Sequence, residues 1–172
     1  GMQAARRYLE TAENEQNVYA LYANMASAMQ AAMGGASGMI FSTLFAGKAA
    51  EHAPASAITP KELAEQMRDG LQAIQELGHA EVGDKTMVDA LAPAVAAMLA
   101  HTDSFAEMFR AGAEAAHEGM ERTKEYTARF GRAKSLGERA IGHADAGATS
   151  TWLILVEMQD YATGEYTPDP EL

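Results

Sequence analysis

Apolar positions recur at helical spacing along almost the whole chain. From Val18 onward Leu21, Tyr22, Met25, Ala28, Met29, Ala32 and Met33 follow an i, i+3, i+4, i+7 rule, the pattern of an amphipathic helix. A weaker version, Ala5, Tyr8, Leu9 and Ala12, precedes it, and residues 2–33 contain neither proline nor glycine. Between the two lies Glu13-Asn14-Glu15-Gln16-Asn17, wholly polar, which is either a solvated turn of one long helix or a break. Gly34-Gly35-Ala36-Ser37-Gly38 ends this region, and a second apolar segment runs from Met39 to Ala46. A helix starting near Ser37 aims unpaired N–H groups at whatever lies beside it.

After a loop over residues 51–58, Thr59-Pro60-Lys61-Glu62 opens a helix with a capping box and a first-turn proline. Its buried face is Leu63, Met67, Leu71, Ile74 and Leu77, and Gly78 is expected to end it. Thr86 or Asp84 can cap the next helix, which presents Met87, Leu91, Val95, Met98 and Leu99. Another starts at Asp103 or Ser104 and is expected to reach about Ala128. The last, over roughly 147–163, carries Trp152, Ile154, Leu155, Val156 and Met158. No strand pattern appears, so the predicted class is all-α. One domain over residues 1–172 is expected, with 164–172 as a frayed tail.

One stretch departs from this periodicity. Residues 131–150 carry glycines at 131, 137, 142 and 147, with Arg132, Lys134, Glu138, Arg139, His143 and Asp145 among them. Glycine serves where backbone turns with φ > 0 or approaches a ligand closely. Leu136 and Ile141 among the charges indicate a loop that packs over something, either a ligand or only its neighbours.

The net charge of −11 argues against nucleic acid and against anionic membrane surfaces as partners. There is no cysteine, which removes disulfide and thiolate chemistry. Apolar runs such as Trp152 to Val156 are far too short to span a bilayer, so a cytoplasmic protein is expected. Glu76-x-x-His79 and Glu114-x-x-His117 have the spacing used by carboxylate-bridged di-iron bundles. In a chain with this many glutamates such copies also arise by chance.

Three segments matter together: Gly34-Gly35-Ala36-Ser37-Gly38, Gly83-Asp84-Lys85-Thr86-Met87, and Gly131-Arg132-Ala133 through Leu136-Gly137-Glu138-Arg139 to Ile141-Gly142-His143-Ala144-Asp145-Ala146-Gly147-Ala148. In this order they resemble the nucleotide-binding L subunit or domain of dihydroxyacetone (glycerone) kinases, over roughly residues 22–163. The resemblance implies an antiparallel bundle or barrel of helices, with ADP or ATP bound in loops at one end. It also implies phosphoryl transfer to dihydroxyacetone held on a separate K-type subunit. Ala36 and Ser37, with Gly35, would meet the phosphates. Gly78 and Met87 would line the adenine pocket beside Thr86, Arg132 would reach the nucleotide, and Asp145, Ala146 and Gly147 would close the site. The residue types suit these roles: arginine is a fork-shaped phosphate donor and methionine a soft wall for a flat base. Ala146 stands where the family usually has proline.

The family also places aspartates of a Gly-Asp-x-Asp-His-Gly type motif near its N-terminus to hold Mg²⁺. Here the first aspartate is Asp69, and the corresponding region reads Glu10 to Asn17. Glu13 and Glu15 match that motif neither in pairing nor in spacing. No metal ligand is therefore assigned, kinase activity is in doubt, and a catalytically inactive nucleotide- or partner-binding protein is the alternative. One or two N-terminal helices of the family barrel are expected to be missing. The flank this exposes predicts a homo-oligomer joined through Tyr8, Leu9 and Ala12. Asp145 can equally be an N-cap of the last helix, a role compatible with ligand binding.

Overall fold

The computed structural model describes residues 1–167, apart from the Arg132 side chain; the rest of the expected tail, 168–172, lies outside the described residues. Seven α-helices and three short 3-10 segments make up the described residues, and no strand occurs among them. The chain forms two compact units, Gly1–His79 and Ala80 onward.

The first unit contains α1 (Met2–Thr11), α2 (Val18–Met33), α3 (Gly35–Ala46), a 3-10 turn (Ala49–Glu51) and α4 (Pro60–Gly78). The polar run after α1 is a break. Asn17 takes extended backbone there, and its side chain accepts hydrogen bonds from Tyr19 N and Ala55 N, both at 3.2 Å. A side chain that satisfies an orphan amide in this way starts a helix rather than continuing one. Ala4 and Ala5 are the buried residues of α1, while Tyr8 is half-buried and Leu9 exposed. Ala26, Met29, Leu44, Phe45, Ala64, Met67 and Ile74 form the core of this unit. Gly70 lets α4 press on α3, since a Cβ there would lie 2.6 Å from Leu44 O. Nearby, Gln66 Nε2 donates to Phe45 O at 3.1 Å, satisfying a carbonyl near the end of α3. The capping box at Thr59 and Glu62 is present. α4 ends at Gly78 as expected, but the left-handed cap is the next residue, His79, at φ 54° with its amide on Gln75 O.

The second unit contains α5 (Val88–Ala100), α6 (Phe105–Arg122), a 3-10 turn (Thr123–Glu125), a 3-10 stretch (Arg132–Ala140) interrupted at Gly137, and α7 (Ala146–Thr163). Leu91, Met98, Met108, Ala116, Met120 and Leu155 are buried at its centre. Removing a side chain such as Leu155 from water is worth about 1.5–3 kcal/mol. Pro93 has no N–H for the carbonyl of Asp89, and that carbonyl lies against Gly119 of α6, where a Cβ would collide with it. The missing intrahelical bond and the missing side chain thus coincide at the α5–α6 crossing. Ser104 caps α6 by accepting from Glu107 N at 3.1 Å. The helix stops at Arg122, short of the expected Ala128: the chain passes through the 3-10 turn and is extended by Tyr126, and the Thr123 hydroxyl bonds to Met120 O at 2.6 Å. None of the described helices is long and apolar enough to cross a membrane.

Candidate functional site

The residues singled out above form one set in each unit. In the first unit Gly35, Ala36 and Ser37 open α3, all exposed, with Gly34 as N-cap. Gly34 and Gly35 take φ of +60° and +58°, and no side chain caps the helix. A Cβ on either glycine would meet nothing within 4 Å, so the turn faces open space. An uncapped first turn offers its amides and the positive end of the helix dipole to an anion. Gly78 is the last residue of α4 and is also exposed.

The second unit brings the start of α5 and the start of α7 together. Asp145 is the N-cap of α7, its Oδ2 accepting from Ala148 N at 2.8 Å, so the capping reading is correct. Ala146 is exposed, and Gly147 packs against Met87. Thr86 is half-buried and its Oγ1 accepts from Val88 N at 3.2 Å. Asp84 does not cap α5; its Oδ2 accepts from Glu81 N at 2.8 Å and its Oδ1 from Arg129 Nη1 at 3.1 Å. The stronger device at this turn is Asp89, buried in the first turn of α5, which accepts from Gly83 N at 2.6 Å and Thr86 N at 2.7 Å. Arg132 opens the 3-10 stretch, and its side chain lies outside the described residues.

Sequence reasoning missed three members of this cluster. Lys85 is buried, with φ +60°, and its ammonium donates to Thr123 O at 2.5 Å and His143 O at 2.6 Å. Thr123 is fully buried and accepts from Asp145 N at 2.8 Å. Asp89 completes the group. Burial pushes the Asp145 carboxyl up from its ordinary value; the Ala148 and Gly147 amides oppose this, the charge on Asp89 adds to it, and Lys85 counters it. Burial pushes the Lys85 ammonium down, against the pull of Asp145 and Asp89. Lys85 stands inside the Gly83–Met87 motif, but its burial depends on acceptors dozens of residues away.

An open groove of about 410 Å³ runs along α5 and α6, lined by Ala97, His101, Arg110 and the carboxylates Glu107, Glu114 and Glu118 among others. It shares no residue with the cluster, and its acidic lining suits a polyphosphate poorly. His117 of the second Glu-x-x-His copy packs on Trp152 with ring centroids 4.8 Å apart. No group of three His, Asp or Glu residues able to hold a metal occurs among the described residues. Of the N-terminal carboxylates, Glu10 bonds Arg6 at 2.9 Å and Glu15 accepts from Asn17 N at 2.9 Å. The described residues therefore do not fit a Mg²⁺ site, and no role is assigned to that metal.

Fold and turns together define an all-helical domain with glycine-bearing turns at the starts of α3 and α7. The sequence matches the DAK2 domain over residues 1–160, and the chain belongs to that family as a DhaL-like domain. It is 40% identical over 126 residues to the ADP-binding subunit DhaL of PEP-dependent dihydroxyacetone kinase 2 from Listeria innocua, covering 72% of this chain and 58% of that protein. It is 36% identical over 135 residues to the corresponding DhaL of Escherichia coli, covering 77% of this chain and 64% of the relative. The chain thus spans roughly three-fifths of the length of these relatives. Among solved structures, the dihydroxyacetone kinase of C. freundii in complex with AMP-PNP and Mg²⁺ is similar at a TM-score of 0.66 and 26% identity, covering 92% of this chain and 27% of that one.

Proposed function

We propose that this chain is an ADP- or ATP-binding domain of a dihydroxyacetone kinase, working with a separate K-type subunit that holds the sugar. The observation that carries the reading is the start of α3: two glycines with left-handed φ, an exposed turn and no side-chain cap, in a DhaL-like domain. Relatives named as ADP-binding subunits support the nucleotide. Gly35, Ala36 and Ser37 offer amides and a hydroxyl to phosphate oxygens. In the second unit Met87 and Thr86 line the base and Asp145, Ala146 and Gly147 close over it; Gly78 and Arg132 keep the roles that the family resemblance implies. The nucleotide brings the transferable phosphoryl group, and the chain's own residues bind and orient it. The K-type partner and a cytoplasmic location belong to the same proposal.

Isothermal titration of the chain with ADP tests it. Saturable heat at micromolar to millimolar ADP is the expected result, and no heat at millimolar ADP overturns the nucleotide reading. Phosphorylation of dihydroxyacetone after addition of a K-type subunit tests the partner separately.

A further inference from the structure

Lys85 combines three properties that rarely occur together. It is 2% exposed, it is a non-glycine residue at φ +60°, and its ammonium donates to two backbone carbonyls rather than to a carboxylate in direct contact. A left-handed conformation disfavours every L side chain, and glycine would relieve it at once. Such a residue persists only where its surroundings over-determine it, and such positions cluster at ligand sites. The surroundings here are specific. Asp84 and Asp89 hold the turn from both sides, through Glu81 N at 2.8 Å and through Gly83 N and Thr86 N at 2.6 and 2.7 Å. That turn presents Met87. The two carbonyls bound by Lys85 belong to Thr123, where α6 has ended, and to His143, two residues before the cap of α7. Thr123 adds a second link to the same place by accepting from Asp145 N at 2.8 Å.

The Gly83–Met87 turn, the end of α6 and the start of α7 are therefore joined by one ammonium and one hydroxyl. What the joint sets is the position of Gly147 relative to Met87, where a Cβ would already stand 3.2 Å from the methionine's Cβ. We propose that Lys85 is a positioning residue for the nucleotide, clamping the loop before Asp145 so that the first turn of α7 is held against Met87. The proposal rests on the nucleotide reading above and deepens it: Lys85 touches no ligand and acts through Met87 and Gly147. Charge alone does not do this work, because the two carbonyls need donors in two directions at one point, which a lysine ammonium supplies.

The test uses the full chain and ADP. Lys85→Met keeps the apolar stem and removes the donors; Thr123→Val removes the hydroxyl at the other link. Titration of the unchanged protein comes first, and absence of ADP heat there overturns the nucleotide reading itself. Given binding, Lys85→Met should weaken ADP at least tenfold. Amide exchange should rise in residues 141–149 and not in α5 or α6. Thr123→Val should weaken ADP in the same sense, and the double variant should lose less than the product of the two single losses, because both act on one joint. An unchanged ADP affinity in Lys85→Met, with binding intact in the parent, overturns the role of Lys85 and leaves nucleotide binding standing. Exchange that rises evenly throughout the chain, with ADP loss explained by the unfolded fraction, overturns it too. If Lys85→Met does not fold, Thr123→Val decides: selective exchange in 141–149 with weaker ADP supports the clamp, and unchanged ADP affinity overturns it.

Discussion

Gly147 stands against Met87 with no room for a side chain: a Cβ built on the glycine would lie 3.2 Å from Met87 Cβ and 3.3 Å from Met87 N, and 3.0 Å from Asp145 Oδ2. Two helix starts separated by almost sixty residues of sequence meet at this point. Two of these contacts are to a backbone atom and to the first side-chain carbon, neither of which can swing away. Gly147→Ala should therefore destabilise by about 1 kcal/mol. It should also weaken ADP by up to about tenfold, the equivalent of ~1.4 kcal/mol. Urea unfolding and titration calorimetry check the two effects. An ADP affinity unchanged or improved would mean that this contact does not shape the site.

The crossing of α5 and α6 supplies a ranking rather than a single value. At Gly119 the obstacles are the Asp89 carbonyl and Ala90 Cα at 3.0 Å, both backbone. At Gly112 the nearest atoms are Met98 Cγ at 2.7 Å and Sδ at 3.1 Å, part of a flexible side chain. Gly119→Ala should cost about 2–3 kcal/mol and Gly112→Ala about 1 kcal/mol. Thermal melts of the two variants give the order, and the reverse order would contradict the packing described.

Asp145 makes stability depend on pH. Burial raises its carboxyl above the ordinary 3.8, with Asp89 adding to the effect and Lys85 opposing it. A raised carboxyl means that the folded state holds the proton more tightly. Its contribution is complete below the ordinary value and is lost as pH rises through the folded-state pKa. Asp145→Asn keeps a capping oxygen and removes this titration. The variant should lose less stability than the parent between about pH 4 and pH 7. Urea midpoints at the two ends of that range measure it, and equal slopes would show that Asp145 does not titrate as described.

The start of α3 separates strain from binding. Gly35→Ala places a side chain at φ +58° in open space, so its cost is conformational, about 1–2 kcal/mol. Ser37→Ala leaves stability nearly unchanged, because Ser37 is exposed. Both should weaken ADP, the serine by a few-fold through its lost hydroxyl. Differential scanning fluorimetry with and without ADP checks both. A Ser37→Ala protein with full affinity would remove Ser37 from the phosphate site.

Local features were legible in the amino-acid order. The capping box at Thr59 and Glu62 links residues three apart, and Ser104 and Asp145 cap α6 and α7 through amides equally close. All three signals need only short-range geometry. The all-α class follows from the same kind of evidence, because apolar spacing of 3.6 needs no knowledge of partners. The segment Glu13–Asn17 shows where this stops. Its composition allows either a turn or a break, and the choice fell to Ala55, whose amide shares the Asn17 side chain from 38 residues away. The end of α6 shows the same limit: Thr123 has ordinary helical neighbours in sequence, yet its hydroxyl oxygen serves Asp145 N, 22 residues further on.

The sequence by itself determined the all-α class, the caps at Thr59, Ser104 and Asp145 and the glycine turns, because each depends on residues within a turn or two of one another. Tertiary structure alone decided which charged residues are buried. Nothing in the string Gly83-Asp84-Lys85-Thr86-Met87 distinguishes a solvated lysine from an enclosed one. Lys85 is enclosed because the carbonyls of Thr123 and His143, 38 and 58 residues further on, accept hydrogen bonds from its ammonium and offset the cost of taking that charge out of water.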